Sequence, residues 1–254
     1  MPASFADLLL QANPVMLSQV LAELLPQLLP LGLLAGVLGL DVVSFAQVMI
    51  SRPIVGATLA GSFLGAPVAG LICGAALECL ALESLPVGAS RYPEWGSASV
   101  VAGAIASRGV SGDMLPHPAA FAVAVATGIA TAWIGGISMV KHRQLIASFA
   151  RPRLGQLAEG MRNTVVGLQI FGMTVDLLRG FFIGVLAYVP ASLVAAWAMS
   201  RWSVRDDITR AVVVTMVAAV AAAAVWKDFH AISGTRRLFL ASLALGTALV
   251  VASA

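Results

Sequence analysis

Three carboxylates lie within or just after a long apolar stretch of this chain: Glu78, Glu83 and Glu94. The stretch opens at Arg52-Pro53 and carries a glycine at every fourth or fifth position, a spacing typical of closely packed membrane helices. A charged side chain at the centre of a membrane helix costs ~2.5–3.5 kcal/mol, so it faces an ionic partner, a water-filled cavity or a polar substrate. These residue types and their spacing therefore predict a polar site built inside a membrane.

Glu78 is the candidate that lies within the apolar run itself, and it has two interpretations. A carboxylate accepts strong hydrogen bonds from hydroxyl groups, so Glu78 suits contact with a hydroxylated substrate in a dry pocket. The alternative is an intramembrane ion pair with Arg52 or Arg91 that holds the helices together. The sequence leaves both open.

Five further positions are candidates for substrate contact. Glu94 and Glu83 supply carboxylates, with a solvated loop carboxylate as the alternative for Glu94. Gly88 and Ala89 allow the backbone to approach a ligand closely, or else form an ordinary turn. Gln47 supplies an amide, with a polar residue at a helix end as its alternative.

Two other features have structural interpretations. Asp176 and Arg179 are three residues apart, which predicts a structural ion pair on one helix. The tryptophans fit anchors at the membrane interface better than platforms for ligand stacking. Trp95 is the exception, because it directly follows Glu94.

The composition predicts a polytopic α-helical membrane protein. Of 254 residues, 59% are hydrophobic and only 11% are charged, with a mean hydropathy of +0.94. Soluble domains carry about 25% charged residues, so a soluble fold is excluded. At ~20 residues per span, the length allows roughly six to eight membrane segments, some of them broken or re-entrant. The chain is predicted to be a single transmembrane domain over residues 1–254.

The first half of the chain contains one clear span and several interrupted segments. Leu17 to Leu40 is a first span or a broken one, since Pro26 and Pro30 interrupt it. Residues 54–82 exceed one span and are predicted to break into two helices or a hairpin at Gly65-Ala-Pro67. Ser97 to Ser107 is too short to cross and is predicted to be a re-entrant arm.

The second half is organised around a basic segment. Pro118 to Val140 is predicted to be a full span. A basic loop at about 141–163 follows, with five Lys or Arg against one acid, and it is placed in the cytoplasm by the positive-inside rule. A short apolar segment at 164–178, a full span at 181–199 and two Ala- and Val-rich segments at 211–226 and 238–252 complete the chain.

Motifs for catalysis and metal binding are missing. There is no HExxH and no GxxxxGK[ST], which argues against metalloprotease chemistry and ATP hydrolysis. His117, His142 and His230 stand alone, so no metal-ligand spacing exists. We expect no catalytic residue, no metal and no cofactor in this chain, and the excess of positive charge indicates membrane orientation rather than nucleic-acid binding.

Residues 52–94 resemble the IIC membrane subunit of the mannose/fructose/sorbose family of the bacterial sugar phosphotransferase system. The resemblance rests on Arg52-Pro53, Gly61 with Leu64-Gly65, Gly74-Ala-Ala-Leu77-Glu78, Val87-Gly88-Ala89 and Pro93-Glu94. Three positions depart from the family pattern: Glu83 replaces a small residue, Pro86 an Asn, and Glu94 an Asp. These departures lie in the presumed sugar site, so the substrate is expected to differ from mannose or the role to be regulatory.

The resemblance implies an inner-membrane, sugar-translocating subunit with an elevator-type core. Its expected partners are a homologous IID membrane subunit, in a trimer of IIC–IID pairs, and cytoplasmic IIA and IIB proteins that carry the phosphoryl group. Hexose binding is then assigned to Glu78, Glu94, Gly88, Ala89, Gln47 and Glu83. Two alternatives remain open: an ion-coupled secondary transporter with Glu78 and Glu83 as proton sites, and a non-transporting scaffold whose 141–162 segment docks a regulator.

Overall fold

The computed structural model describes residues 14–45, 47–82, 91–110, 115–229 and 232–253. Within these ranges the chain is helical and contains no strand, which confirms the predicted all-α class. The α-helices in chain order are α1 (Pro14–Asp41), α2 (Pro53–Phe63), α3 (Pro67–Ala81), α4 (Trp95–Ala106), α5 (Pro118–Ala150), α6 (Leu154–Ala158), α7 (Arg162–Ser200), α8 (Asp206–Phe229) and α9 (Thr235–Ser253).

The chain combines long apolar helices with short ones. Three stretches among the described residues are long and apolar enough to cross a membrane: Ala22–Asp41, Pro118–Ala158 and Arg162–Ser200. The shorter apolar helices are Pro53–Phe63, Pro67–Ala81, Trp95–Ala106 and Ala211–Trp226. This mixture of full-length and partial helices confirms the predicted polytopic membrane protein with broken segments.

Helix α1 is continuous, so the two prolines do not divide it. It runs from Pro14 to Asp41 through Pro26 and Pro30. A proline inside a helix removes one backbone hydrogen bond, but neighbouring helices compensate for this loss inside a membrane. The neighbour is α7, the helix with which α1 makes its most extensive contact. Glycines make the approach close: a Cβ on Gly36 would lie 2.7 Å from the Leu177 carbonyl oxygen of α7.

Helices α2 and α3 form a tight hairpin, and the predicted break at Gly65-Ala-Pro67 is confirmed. Gly65 has a φ of +76°, a conformation that favours glycine, and Pro67 occupies the first turn of α3. Close packing holds the pair together, since a Cβ on Gly70 would lie 2.3 Å from the Ala57 carbonyl oxygen. Helix α2 has 11 residues, or about 16 Å, which is half the ~30 Å hydrocarbon core.

The short helix α4 is the centre of the molecule. Every residue from Gly96 to Ala106 is buried, and α4 contacts α1, α2, α3, α5 and α7. The short length of α4 agrees with the segment predicted at Ser97–Ser107, and its re-entrant course stays a prediction. Backbone at membrane depth that does not cross is tolerated where protein surrounds it, and α4 is enclosed in this way.

The segment expected as a basic loop at about 141–163 is mostly helical. Helix α5 continues to Ala150, and a 3-10 turn at Arg151–Arg153 leads into α6. Between Lys141 and Ala150 the residues are mainly good helix formers such as Lys, Arg, Gln, Leu and Ala, with no glycine or proline. Nothing there ends the helix, and the first proline after Pro118 is Pro152.

Helix α7 joins two segments that were predicted to be separate, 164–178 and 181–199. It runs without interruption for 39 residues from Arg162 to Ser200. Asp176 and Arg179, which lie at the junction of the two predicted segments, pair with each other three residues apart. The helix therefore contains both charges without a break.

Candidate functional site

A cleft of about 290 Å³ opens where three broken segments meet. These are the turn after α1, the first residues of α2, and the extended segment 91–94 before α4. Its volume is near the lower end of the range for small-molecule sites. The polar and aromatic side chains that line it are Asp41, Gln47, Ser51, Arg52, Tyr92 and Trp95. This region is called the first cleft below.

Asp41, at the end of α1, shapes the turn that forms one wall of the first cleft. Its side chain is 3% exposed, and its two oxygens accept the backbone N–H groups of Val48 at 2.9 Å and Ser51 at 3.0 Å. Gln47 and Met49 in this turn have φ values of 49° and 67°. A non-glycine residue in this region costs ~1–3 kcal/mol, and such residues are concentrated at functional sites.

Gln47 reaches the first cleft with part of its amide already engaged. Its Nε2 donates to the Val43 carbonyl at 2.9 Å, which orients the side chain. No hydrogen bond from a described residue reaches its amide oxygen, so that oxygen is free to accept a ligand hydroxyl.

Glu78 forms the ion pair that the sequence left as an alternative, and its partner is Arg52. Arg52 Nε donates to Glu78 Oε1 at 2.6 Å, and its Nη2 donates to the same oxygen. The other carboxylate oxygen accepts the Ile54 backbone N–H at 3.2 Å, where the N-terminus of α2 favours negative charge. Glu78 thereby joins α3 to the start of α2 and holds Arg52 at the wall of the first cleft.

Glu94 is fully buried and caps α4, so it is not a solvated loop carboxylate. Its Oε1 accepts the Ser97 backbone N–H at 3.0 Å, and its Oε2 accepts the Ser97 hydroxyl. Its own N–H donates to the Ala132 carbonyl at 2.8 Å, which ties α4 to α5. Glu94 therefore lies behind the first cleft, between the lining residues Pro93 and Trp95, and fixes the direction in which α4 begins.

A buried ionic network supports the same region from the side of α7. Arg179 Nε donates to Asp176 Oδ1 at 2.8 Å, and Ser44 in the turn after α1 donates its hydroxyl to Oδ2. Arg179 Nη1 donates to the Gly135 carbonyl and to Ser138 Oγ of α5. The expected Asp176–Arg179 pair is present, and it also connects α1, α5 and α7.

Tyr92, in the segment before α4, also lines the first cleft. Its hydroxyl accepts a hydrogen bond from Arg143 Nη2 of α5 at 2.6 Å. Burial raises the pKa of the Tyr92 hydroxyl, and the Arg143 guanidinium partly opposes this shift. Tyr92 therefore stays protonated at neutral pH.

Among the sequence candidates, Gln47 and Trp95 meet in the first cleft, and Glu78 reaches it through Arg52. Glu94 does not line the first cleft but caps α4, whose first residue lines it. Glu83, Gly88 and Ala89 lie outside the described residues. The sequence analysis missed Asp41, Ser44 and Tyr92, whose only signal was a polar group at the edge of an apolar segment. Within the described part of the chain, no group of three His, Cys, Asp or Glu side chains could hold a metal ion.

Two comparisons with known proteins give different results. A comparison with curated proteins gives no match. A family model described as the PTS system sorbose-specific IIC component matches residues 25–227, from α1 to near the end of α8. That region includes the hairpin, α4 and every described residue of the first cleft. The match covers most of the 254 residues, and the chain therefore belongs to the sorbose-specific IIC component family of the sugar phosphotransferase system.

Proposed function

We propose that this chain binds a hexose-type sugar in the first cleft and moves it across the inner membrane for phosphorylation by partner proteins. Membership of the IIC family already identifies it as a membrane subunit of a sugar phosphotransferase system. The observation that carries the rest is the first cleft: an amide, an arginine and an aromatic ring converge there on about 290 Å³ of space.

The chemistry of the first cleft suits a neutral polyhydroxyl ligand. The amide oxygen of Gln47 accepts from a sugar hydroxyl, and the N–H groups of Arg52 that Glu78 leaves unused donate to others. Trp95 offers a flat apolar surface for the C–H face of a sugar ring. Tyr92, kept neutral, adds a further hydroxyl. Donors and acceptors thus surround an aromatic platform, which favours a sugar over an ion.

The remaining candidates differ in how directly they would act on the sugar in this proposal. Glu78 acts through Arg52, with a carboxylate oxygen that a sugar hydroxyl can share. Glu94 positions α4 rather than touching the ligand in the described conformation. Contacts from Glu83, Gly88 and Ala89 remain predictions.

The chain works with other components of the phosphotransferase system, as its family does. We propose a IID homologue as its membrane partner, in a trimer of IIC–IID pairs, with IIA and IIB proteins supplying the phosphoryl group. The subunit itself needs no phosphorylated or catalytic residue, because its task is binding and translocation. We also propose that it is a multi-pass protein of the bacterial inner membrane, which its three long apolar helices support.

Equilibrium binding of radiolabelled hexoses to the chain purified with its IID partner tests the proposal. Gln47→Ala should weaken binding about threefold to tenfold, the equivalent of one neutral hydrogen bond. Trp95→Ala should weaken it about tenfold or more, or ~1.4 kcal/mol. Gln169→Ala and Trp133→Ala, at exposed positions on α7 and α5, are matched controls and should bind as wild type.

Absence of binding by the intact pair to every hexose tested would contradict the proposal. Uptake that needs a proton gradient and no phosphocarrier would instead indicate an ion-coupled transporter. Unchanged sugar uptake in a deletion strain with an altered regulatory phenotype would indicate a scaffold.

A further inference from the structure

A second polar cleft, of about 350 Å³, lies elsewhere in the molecule. It is formed by the early part of α1, the tip of the α2–α3 hairpin and the ends of α4 and α7. Its lining includes Glu23, Gln27, Leu64, Ser107, Arg108 and Met199. None of these residues contributes to the first cleft.

The two clefts lie at opposite ends of the helices they share. Helix α4 begins at Trp95 in the first cleft and ends one residue before Ser107 in the second, about 18 Å away at 1.5 Å per residue. Along α1, Gln27 and Asp41 are separated by about 21 Å on the same rise. These separations are about two thirds of the ~30 Å thickness of a bilayer core, so the clefts lie near opposite ends of the helices that they share.

An apolar layer separates the clefts. Leu28 and Leu31 of α1 pack there against Val101 and Ala104 of α4 and against Tyr188 of α7. The void between them has only about 10 Å³, roughly the space of one water molecule. A sugar cannot pass this layer in the described conformation, so the layer closes each cleft towards the other.

The second cleft also has the hydrogen-bonding groups for a hydroxylated ligand. Tyr188 donates its hydroxyl to Gln27 Oε1 at 2.6 Å, which orients the Gln27 amide and leaves its NH₂ group to donate. Arg108 Nη2 lies 3.5 Å from Glu23 Oε2, and the buried Arg108 Nε has no hydrogen-bond partner among the described residues. The Glu23 side chain is 67% exposed and can accept.

Charge decides which class of ligand fits. An anionic ligand drawn to Arg108 would meet the Glu23 carboxylate, and a cationic one drawn to Glu23 would meet Arg108. A neutral polyhydroxyl compound satisfies both, because it donates to Glu23 and accepts from Arg108 and Gln27.

We propose that the second cleft is a separate binding station for the same class of neutral sugar, on the membrane face opposite the first cleft. This inference rests on the proposed function. Binding at either station then precedes or follows a movement that opens the apolar layer between them.

Accessibility of single cysteines tests the inference in membranes that contain the chain with its IID partner. In a Cys73→Ala, Cys79→Ala background, Met49→Cys reports on the first cleft and Met199→Cys on the second. Glu159→Cys and Ser203→Cys, exposed and outside the clefts, are controls near the first and second cleft ends. We expect a membrane-impermeant thiol reagent to label Met49→Cys from one face only and Met199→Cys from the other only.

Hexose should then slow labelling of both Met49→Cys and Met199→Cys at least severalfold, without affecting the two controls. Adding Arg108→Gln should remove protection at Met199→Cys while keeping it at Met49→Cys. Labelling of both clefts from the same face overturns the inference. Protection at Met49→Cys alone also overturns it and leaves the proposed function standing, whereas loss of hexose binding by the intact pair contradicts both.

Discussion

Glu78 balances the cost of a carboxylate among apolar helices with partners from its own chain. Arg52 occupies one carboxylate oxygen and the Ile54 N–H the other. The side chains of Arg52 and Glu78 are 25% and 17% exposed, so water screens the pair only in part. A buried charge that loses its partner is costly. A measurement of stability therefore tests the structural role of Glu78 separately from any role in ligand binding.

We expect Glu78→Gln to lower the apparent unfolding temperature in detergent by about 3–10 °C, because a lost charged hydrogen bond costs ~1–3 kcal/mol. Arg52→Gln should do the same for the same reason. The double variant should lose less than the sum of the two single losses, since neither residue is then left with an unpaired charge. Tryptophan fluorescence during heating measures this, and additive losses would show that the pair is not energetically coupled.

The candidate site was predictable where a residue type was unusual in its surroundings. Glu78, Gln47 and Trp95 stand out from an apolar sequence, and the structure locates all three at or beside the first cleft. Asp41 could not be assigned in this way, because its role depends on the backbone N–H groups of Val48 and Ser51, which only the folded turn brings to it.

Among the elements, the α2–α3 hairpin is the one that local sequence determines most directly. Gly65 and Pro67 supply the turn, and small residues on both helices allow their backbones to approach. The prediction was wrong along α5, where the basic residues after Val140 were taken as a loop, and along α7, where two separate segments were expected. Lys141 and Arg143 continue α5, because the residues there are good helix formers. Asp176 lies inside α7, because Arg179 of the same helix neutralises its charge.

We expect Gly70→Ala to destabilise the protein far more than an ordinary surface change. Its Cβ would lie 2.3 Å from the Ala57 carbonyl oxygen, so the backbones of α2 and α3 must separate. Overpacking of this kind costs ~1–3 kcal/mol, or several degrees in apparent unfolding temperature. Gly167→Ala on α7 is the matched control, since no neighbouring atom lies within 4 Å of its Cβ. An equal effect of both variants would show that the close approach is not limiting.

At the scale of the whole molecule, the helices divide into a packed body and a loosely attached end. Helices α4 and α7 pack on each other and on both α1 and α5, and the α2–α3 hairpin joins this group mainly through α4. Helix α8 adds to this body through α3 and α5. Among the contacts of helix α9 with it, the ring of Phe239 lies 5.2 Å from that of Trp226, while Leu238 and Leu245 are exposed.

Removal of residues 235–254 should therefore leave the fold of the body intact. Helix α9 follows the region matched by the family model and contains no residue of either cleft. Lipid or detergent would cover the surface of the body that α9 leaves, and its contacts are about as apolar as those of α9. The loss of packing is therefore small. We expect the apparent unfolding temperature to change by less than about 2 °C, within the effect of ~1 kcal/mol. The internal control is Gly70→Ala, and a drop as large as that of Gly70→Ala would show that α9 is an integral part of the packed body.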